Sequence, residues 1–152
     1  MNKGLTVIEV VVSLAVFLVV SLGVFEAMTV GWMVYSRDTA LLDLQQDVRR
    51  AMDRIVREVR ESGASTVSVV DDDSDTLSFD TPNEQDIDYY LYEGELIREY
   101  PPDVYRTVAE GISRLKFIKS GESLVIDIEG ERMYRQTPIT FSLRETVRLR
   151  NE

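Results

Sequence analysis

The sequence predicts an α+β protein in which one long N-terminal α-helix packs on an antiparallel β-sheet head. Three observations support this prediction. No proline interrupts residues 5–62, and the first half of that stretch is almost wholly apolar. Apolar residues then recur over residues 41–62 with the period of an amphipathic helix. From Thr66 onward the apolar period changes to two, which is typical of strands with one buried face.

Composition excludes several classes of function. The 152 residues include no cysteine and no histidine, which removes disulfides, thiolate metal sites, thiol nucleophiles and Ser-His-Asp triads. The net charge of −10 argues against direct binding of nucleic acid, which requires a basic surface. Residues 71–99 hold eleven acids and one arginine, which matches the whole net charge. This acidic stretch is either a solvated face or a partner surface that works by charge complementarity.

Residues 5–35 are predicted to cross a membrane. Residues 10–25 carry no charge, and the wider stretch contains only Glu9 and Glu26 as charged residues. A helix of these two lengths spans roughly 24 and 46 Å, which brackets a hydrocarbon core of ~30 Å. Lys3 before the stretch places the N-terminus in the cytoplasm and the head outside. A removed signal peptide or a plain anchor are the alternatives, but no A-x-A-like cleavage site follows the apolar run.

Glu9 is unusual for a plain anchor. A carboxylate inside a membrane helix costs about 3 kcal/mol and is functional by default. Something must neutralise it, and an amine on this chain or on a neighbour is the expected partner. Glu26 is a second carboxylate near the outer interface, where we expect a snorkelling surface acid rather than a second assembly contact.

Residues 3–10 read Lys-Gly-Leu-Thr-Val-Ile-Glu-Val and lead directly into the apolar run. This motif resembles the class III signal of type IV pilins and type II secretion pseudopilins. The resemblance implies the pilin fold and cleavage by a prepilin peptidase after Gly4, so that residues 1–4 are a leader peptide and Leu5 becomes the N-methylated first residue. It also implies that the Glu9 carboxylate pairs with the terminal amine of an adjacent subunit during assembly, with residues 5–35 in the filament core. Many major pilins have a kinking proline where this chain has Glu26, so any break in the helix is left to Gly23 or Gly31.

Residues 36–62 are predicted to form an amphipathic helix that packs on the head. At 100° per residue, seven apolar side chains form one stripe: Leu44, Val48, Ala51, Met52, Ile55, Val56 and Val59. Charged residues fill the opposite face, with the i,i+4 pairs Arg49–Asp53, Asp53–Arg57, Arg54–Glu58 and Arg57–Glu61. Ser62-Gly63 is expected to end the helix. A coiled coil with a partner is the alternative use of the stripe.

Residues 63–152 are predicted to form a β-rich head built on one antiparallel sheet. Glu93-Gly94 lies between two apolar runs and predicts a hairpin turn. The expected strands include Val67 with Val69, Leu77 with Phe79, Tyr89 to Leu91, Leu96 to Arg98, Leu115 with Phe117, Leu124 to Ile128, Ile139 to Leu143, and Val147 with Leu149. About 90 residues can bury an adequate core without disulfides.

The head is similar in its order of motifs to PilW-like minor pilins and to J-type minor pseudopilins. The similar pieces are residues 88–91 followed by 95–98, then 108–115, and the C-terminal residues 147–151. The resemblance implies a low-copy subunit of a hetero-oligomeric tip complex that primes filament assembly. It implies other pilins or pseudopilins, the prepilin peptidase and the cytoplasmic membrane as partners.

We therefore expect a minor pilin or pseudopilin, a structural subunit of a type IV pilus-like filament. The alternatives are a minor pseudopilin of a type II secretion or competence machine, and a tip adhesin whose head binds a surface ligand. No catalytic residue, no cofactor and no metal site is predicted. The acid cluster at residues 71–75 lacks the glycine and glutamate of an EF-hand loop, so a solvated turn explains it better than calcium does. The tyrosines are expected to serve cross-strand packing rather than a sugar- or DNA-binding surface.

Overall fold

The computed structural model describes residues 6–70 and 75–150, which form one α-helix and eight β-strands in the part of the chain that is described. The chain divides into two compact units, Met1–Thr39 and Ala40–Glu152. Helix α1 is Val7–Glu61 and continues through both Gly23 and Gly31. The proline-free stretch therefore forms helix without the break that the sequence left open at those two glycines.

In the second unit, α1 buries one stripe of side chains. The buried residues of the helix are Leu44, Val48, Ala51, Met52, Ile55, Val56 and Val59. These are the seven residues that the helical periodicity predicts, and they join the core of the head rather than a separate partner. The packing of the helix on an antiparallel β structure confirms the α+β class.

Ser62, the first residue after α1, hydrogen-bonds to the last turn of the helix. The Ser62 side chain is fully buried, and its hydroxyl donates a hydrogen bond of 2.6 Å to the carbonyl oxygen of Val59. The backbone N–H of Ser62 donates to the same oxygen at 3.2 Å. Both bonds satisfy a carbonyl of the last turn, which lacks a partner inside the helix.

The strands form two antiparallel sheets, whereas the sequence suggested one. The five-stranded sheet has the order β1-β2-β3-β4-β5, and the three-stranded sheet has the order β6-β7-β8. The strands of the first sheet are Ser68–Val69, Leu77–Phe79, Ile87–Tyr92, Glu95–Glu99 and Tyr105–Glu110. The strands of the second sheet are Ile112–Ser120, Ser123–Tyr134 and Thr137–Arg148.

Gly111 separates the two sheets. It lies between β5 and β6 with a φ of 70°, a conformation that favours glycine. The N–H of Ile112 donates to the Gly94 carbonyl at 2.9 Å, and the N–H of Glu131 donates to the Gly111 carbonyl at 2.7 Å. The chain thus leaves one sheet and enters the next within a single residue.

The predicted hairpin at Glu93-Gly94 is confirmed. Strands β3 and β4 pair with Tyr90 opposite Ile97 and Tyr92 opposite Glu95. Glu93 and Gly94 both have positive φ, 49° and 82°, as a two-residue hairpin turn with both central residues left-handed requires.

At Gly130 on β7 the sheet backbone lies close against side chains of the helix. An added Cβ would lie 2.7 Å from Cγ2 of Val48 and 2.8 Å from Cδ1 of Leu44. Both side chains are fully buried, and Val48 is β-branched and therefore stiff in a helix. Only glycine leaves room for this contact.

We expect Gly130→Ala to lower the free energy of unfolding of the head by about 1–3 kcal/mol, because the new methyl group overpacks the stripe. Chemical denaturation of the full chain in detergent micelles measures the change. Gly31→Ala is the matched control, since nothing lies within 4 Å of its added Cβ. Equal stability of Gly130→Ala and the wild type would contradict the close packing.

Candidate functional site

Glu9 forms a reciprocal capping box with Thr6 at the start of α1. Its carboxylate Oε2 accepts hydrogen bonds from the backbone N–H of Thr6 at 3.1 Å and from the Thr6 hydroxyl at 3.2 Å. In return, the Thr6 hydroxyl oxygen accepts the backbone N–H of Glu9 at 3.4 Å. Two N–H groups that a helix start leaves unpaired are thereby satisfied.

This local partner was missed at the sequence level, where only an amine was considered for Glu9. The signal was present, because Thr-x-x-Glu before an apolar run is the sequence signature of a capping box. The first turn of a helix also favours a negative charge through the helix dipole. Glu9 therefore has a structural role within its own chain that is independent of any neighbour.

The other predicted processing residues cannot be placed. Gly4 and Leu5, and Lys3 before them, lie outside the described residues. The expected cut between Gly4 and Leu5 stays a prediction. Thr6, the first described residue, is the second residue after the expected cut.

An exposed and largely apolar surface runs along residues 6–35. No residue from Thr6 to Tyr35 is buried, and α1 contains an 18-residue window with a mean hydropathy of 2.7. Isolated apolar residues on a surface are ordinary, but a contiguous surface of this length marks contact with a membrane or a protein. The helix is long and apolar enough to span a bilayer, which fits a membrane anchor.

Two hydroxyl groups near the C-terminal end of this stretch donate hydrogen bonds to backbone carbonyls of the same helix. The Thr29 hydroxyl donates to the Phe25 carbonyl at 2.8 Å, and the Ser36 hydroxyl donates to the Met33 carbonyl at 3.1 Å. Hydroxyls that bond in this way need no water. Trp32 and Tyr35 lie near the C-terminal end of the apolar stretch, with ring centroids 6.4 Å apart and most of each side chain exposed. Amphipathic rings in this position suit a membrane interface.

Among the described residues of the head, one charge cluster is largely removed from solvent, and it is centred on Arg98 of β4. The Arg98 side chain is 6% exposed, and its Nε donates to Oε2 of Glu58 on α1 at 2.9 Å. Its Nη2 pairs with Oε2 of Glu84, and Arg54 pairs with the other oxygen of Glu58 at 3.2 Å. Arg98 and Arg54 together balance the charges of Glu58 and Glu84, so the cluster links the helix to the sheet and is not an acid–base pair.

Tyr89 lies beside this cluster and has no hydrogen-bond partner for its hydroxyl in the described part of the chain. Burial raises the pKa of Tyr89 well above its usual value, and the negative charge of Glu58 raises it further. Its ring stacks on Phe79, with centroids 6.0 Å apart. Tyr89 therefore acts as a neutral core residue, as the strand pattern predicts.

Calcium binding was the less favoured interpretation of the acid cluster at residues 71–75. Residues 71–74 of that cluster lie outside the described residues. Within residues 6–70 and 75–150, no group of three or more acids converges in a way that would hold a metal ion.

Comparison with protein-family models, with curated proteins and with solved structures finds no match for this chain.

We expect Arg98→Met to lower the free energy of unfolding by about 2 kcal/mol, because it leaves the partly exposed Glu84 carboxylate without this counter-charge and leaves Glu58 with Arg54 alone. Arg148→Met is the matched control: its pair with Glu122 is exposed on both sides, and such pairs contribute less than about 1 kcal/mol. Denaturant titration of both variants checks the difference. Equal losses would show that Arg98 is not a tie of the core.

Proposed function

We propose that this chain is a minor pilin or pseudopilin, a membrane-stored subunit of a type IV pilus-like filament that acts in the tip complex that primes assembly. One observation carries the proposal: a fully uncovered apolar helix begins at a single carboxylate held in a capping box. Nothing in the described chain covers this surface. It needs lipid in one state and other helices in another.

In the proposed assembly, the helix moves from the lipid bilayer into a filament, so its surroundings before and after the move must be compared. Lipid tails are as apolar as the side chains of residues 10–25, so exchanging lipid for neighbouring helices brings little net hydrophobic gain. Polar and charged contacts then decide which helix position is preferred. A lone carboxylate near the helix start is well suited to set that position, because a neighbour's amine meets it at only one stagger.

The capping box is compatible with this role. Among the described residues, the hydrogen bonds to the Glu9 carboxylate all end on Oε2. The second oxygen, Oε1, is then available to an amine from another subunit. Such an N⁺–H···O⁻ bond is stronger than a neutral one and gains further in a medium from which water is excluded.

The proposed topology places the N-terminus in the cytoplasm and the head outside the cytoplasmic membrane, from which the subunit enters a cell-surface or periplasmic filament. Prepilin peptidase, other pilins or pseudopilins, and the membrane are the proposed partners. The motif order of the head supports the minor-subunit class. Within the same proposal, a type II secretion or competence machine would use the subunit in the same way.

The first test is the intact mass and N-terminal residue of the protein recovered from its native membrane. We expect loss of residues 1–4 and a methylated amine on Leu5. Expression without the peptidase is the control and should leave the full 152-residue chain. A chain that keeps Met1 in native membranes, or that is cut after residue 25, would contradict the proposal and leave an ordinary anchored or secreted domain.

The second test separates the charge of Glu9 from its capping role. Glu9→Gln keeps a capping-box acceptor but removes the charge, because glutamine also serves at this position. We expect Glu9→Gln to be inserted and processed normally but to be absent from filaments. We expect the same of Glu9→Ala. Immunoblots of membrane and sheared-filament fractions measure both steps.

Thr6→Val is the complementary variant, since it removes the hydroxyl of the cap and keeps the charge of Glu9. It should enter filaments at near wild-type levels. If Glu9→Gln assembles normally and Thr6→Val does not, Glu9 serves only as a helix cap and the assembly role is wrong.

A further inference from the structure

A tyrosine groove lies on the five-stranded sheet of the head, away from Glu9. Tyr90, Tyr92, Tyr105 and Ile97 line a cavity of about 450 Å³. Tyr92 and Tyr105 are 60% and 58% exposed, whereas Ile97 is only 7% exposed. The groove therefore has an apolar floor and exposed aromatic walls, and a contiguous surface of this kind is typical of a binding site.

The face that carries the groove is acidic. Strand pairing places Asp88 opposite Glu99, Glu99 opposite Tyr105, and Glu95 opposite Tyr92. Since side chains alternate between the faces of a sheet, Arg98 and its partner Arg106 belong to the inner side. The described strands β1 to β5 thus present no arginine or lysine on the face of the groove.

The carboxylates around the groove are held in place. Tyr90 donates its hydroxyl to Oε2 of Glu99 at 3.3 Å, and the backbone N–H of Asp103 donates to Oε1 of Glu99 at 2.8 Å. The Thr107 hydroxyl donates to Oε2 of Glu95 at 2.8 Å. Burial, followed by the charge of Glu99, raises the pKa of Tyr90 to about 12, so its hydroxyl stays protonated near neutral pH.

We propose that this groove binds arginine side chains of an extended basic segment on a partner protein. Ionised carboxylates only accept hydrogen bonds, so the ligand must be rich in donors. A guanidinium carries five donors and no acceptor, and it stacks favourably on tyrosine rings. A neutral sugar can donate hydroxyl hydrogen bonds to the same carboxylates, but it brings no positive charge to offset Asp88, Glu95 and Glu99.

This inference goes beyond the proposed function and does not rest on it. The groove belongs to the head, whereas processing and Glu9 belong to the N-terminal stretch. A chain that fails the processing test can still bind a basic segment, and a correctly processed chain can fail to do so. The two proposals therefore fail separately.

The first experiment compares two peptides on the wild-type full chain in non-ionic detergent micelles. One is an acetylated and amidated nonapeptide with arginine at every third position and serine elsewhere. The other replaces each arginine with citrulline, which keeps the shape and removes the charge. Titration calorimetry should show saturable binding of the arginine peptide, with citrulline weakening it at least tenfold. Equal binding of the two peptides, or no binding of either, would overturn the proposal.

The second experiment locates the binding on the head. Tyr92→Ala and Tyr105→Ala alter exposed side chains, and each should weaken the arginine peptide about fivefold, the size of an exposed to partly desolvated cation–π contact. Glu95→Gln should weaken it by a similar factor. Glu131→Gln, an exposed acid on β7 of the other sheet, is the matched control and should leave the affinity within about twofold of the wild type.

Two results would count against the groove. If Glu131→Gln weakens binding as much as Glu95→Gln does, the peptide responds only to the net charge of the chain. If chito-oligosaccharides bind and the tyrosine variants abolish that binding while the arginine peptide shows no preference, the groove is a sugar surface. Should a tyrosine variant fail to fold, the comparison of Glu95→Gln with Glu131→Gln still locates the binding on the head.

Discussion

The packing of one helical stripe against both sheets holds the head together. Each sheet turns one face toward the core, and residues from both sheets share a core cluster with the stripe, among them Phe79, Tyr89, Phe117 and Ile126. The helix supplies a layer against which both sheets bury that face. Gly130 and the Glu58–Arg98 pair fix the helix at two points, one against each sheet.

Periodicity was sufficient to predict this stripe, because an amphipathic helix declares its buried face through spacing alone. The same holds for the hairpin at Glu93-Gly94, where turn chemistry and flanking alternation agree. Strand β5 was not predicted, since Tyr105, Arg106 and Thr107 are all exposed and leave no alternation to detect. The division into two sheets was missed for a related reason: it depends on the backbone at Gly111, whereas alternation reports only which face is buried.

The candidate site was predictable to different degrees. The apolar stretch and its carboxylate are plain in the sequence, and so was the capping signature at Thr6, although it was not recognised. The tyrosine groove could not be found from spacing, because its residues come from β3, β4 and β5 and meet only through the strand register. Four i,i+4 ion pairs were expected on the helix, and among the described residues only Arg54–Glu58 of these four is found as an ion pair. Arg49 instead lies over the ring of Phe141.

Arginine supplies the cation of every ion pair found among the described residues, and lysine supplies none. The planar guanidinium can serve two carboxylates at once, as Arg98 does for Glu58 and Glu84, and as Arg114 does for Asp127 and Glu129. This use leaves the outer face of the five-stranded sheet with its acids unmatched. The arginines of that sheet thus lie on its inner side and the unmatched acids on its outer side. In the proposed complex, a cation from a partner would offset those acids.

Glu9 has two roles, one in the capping box at the start of α1 and one in the proposed assembly. A carboxylate in a membrane helix is costly when it has no partner, whereas Glu9 accepts hydrogen bonds from the Thr6 N–H and the Thr6 hydroxyl of its own chain. In the proposed assembly, these two bonds are in place before any neighbour arrives. In the proposed assembly, a neighbour's amine need only add to an arrangement that is already formed, so little ordering cost falls on the docking step itself.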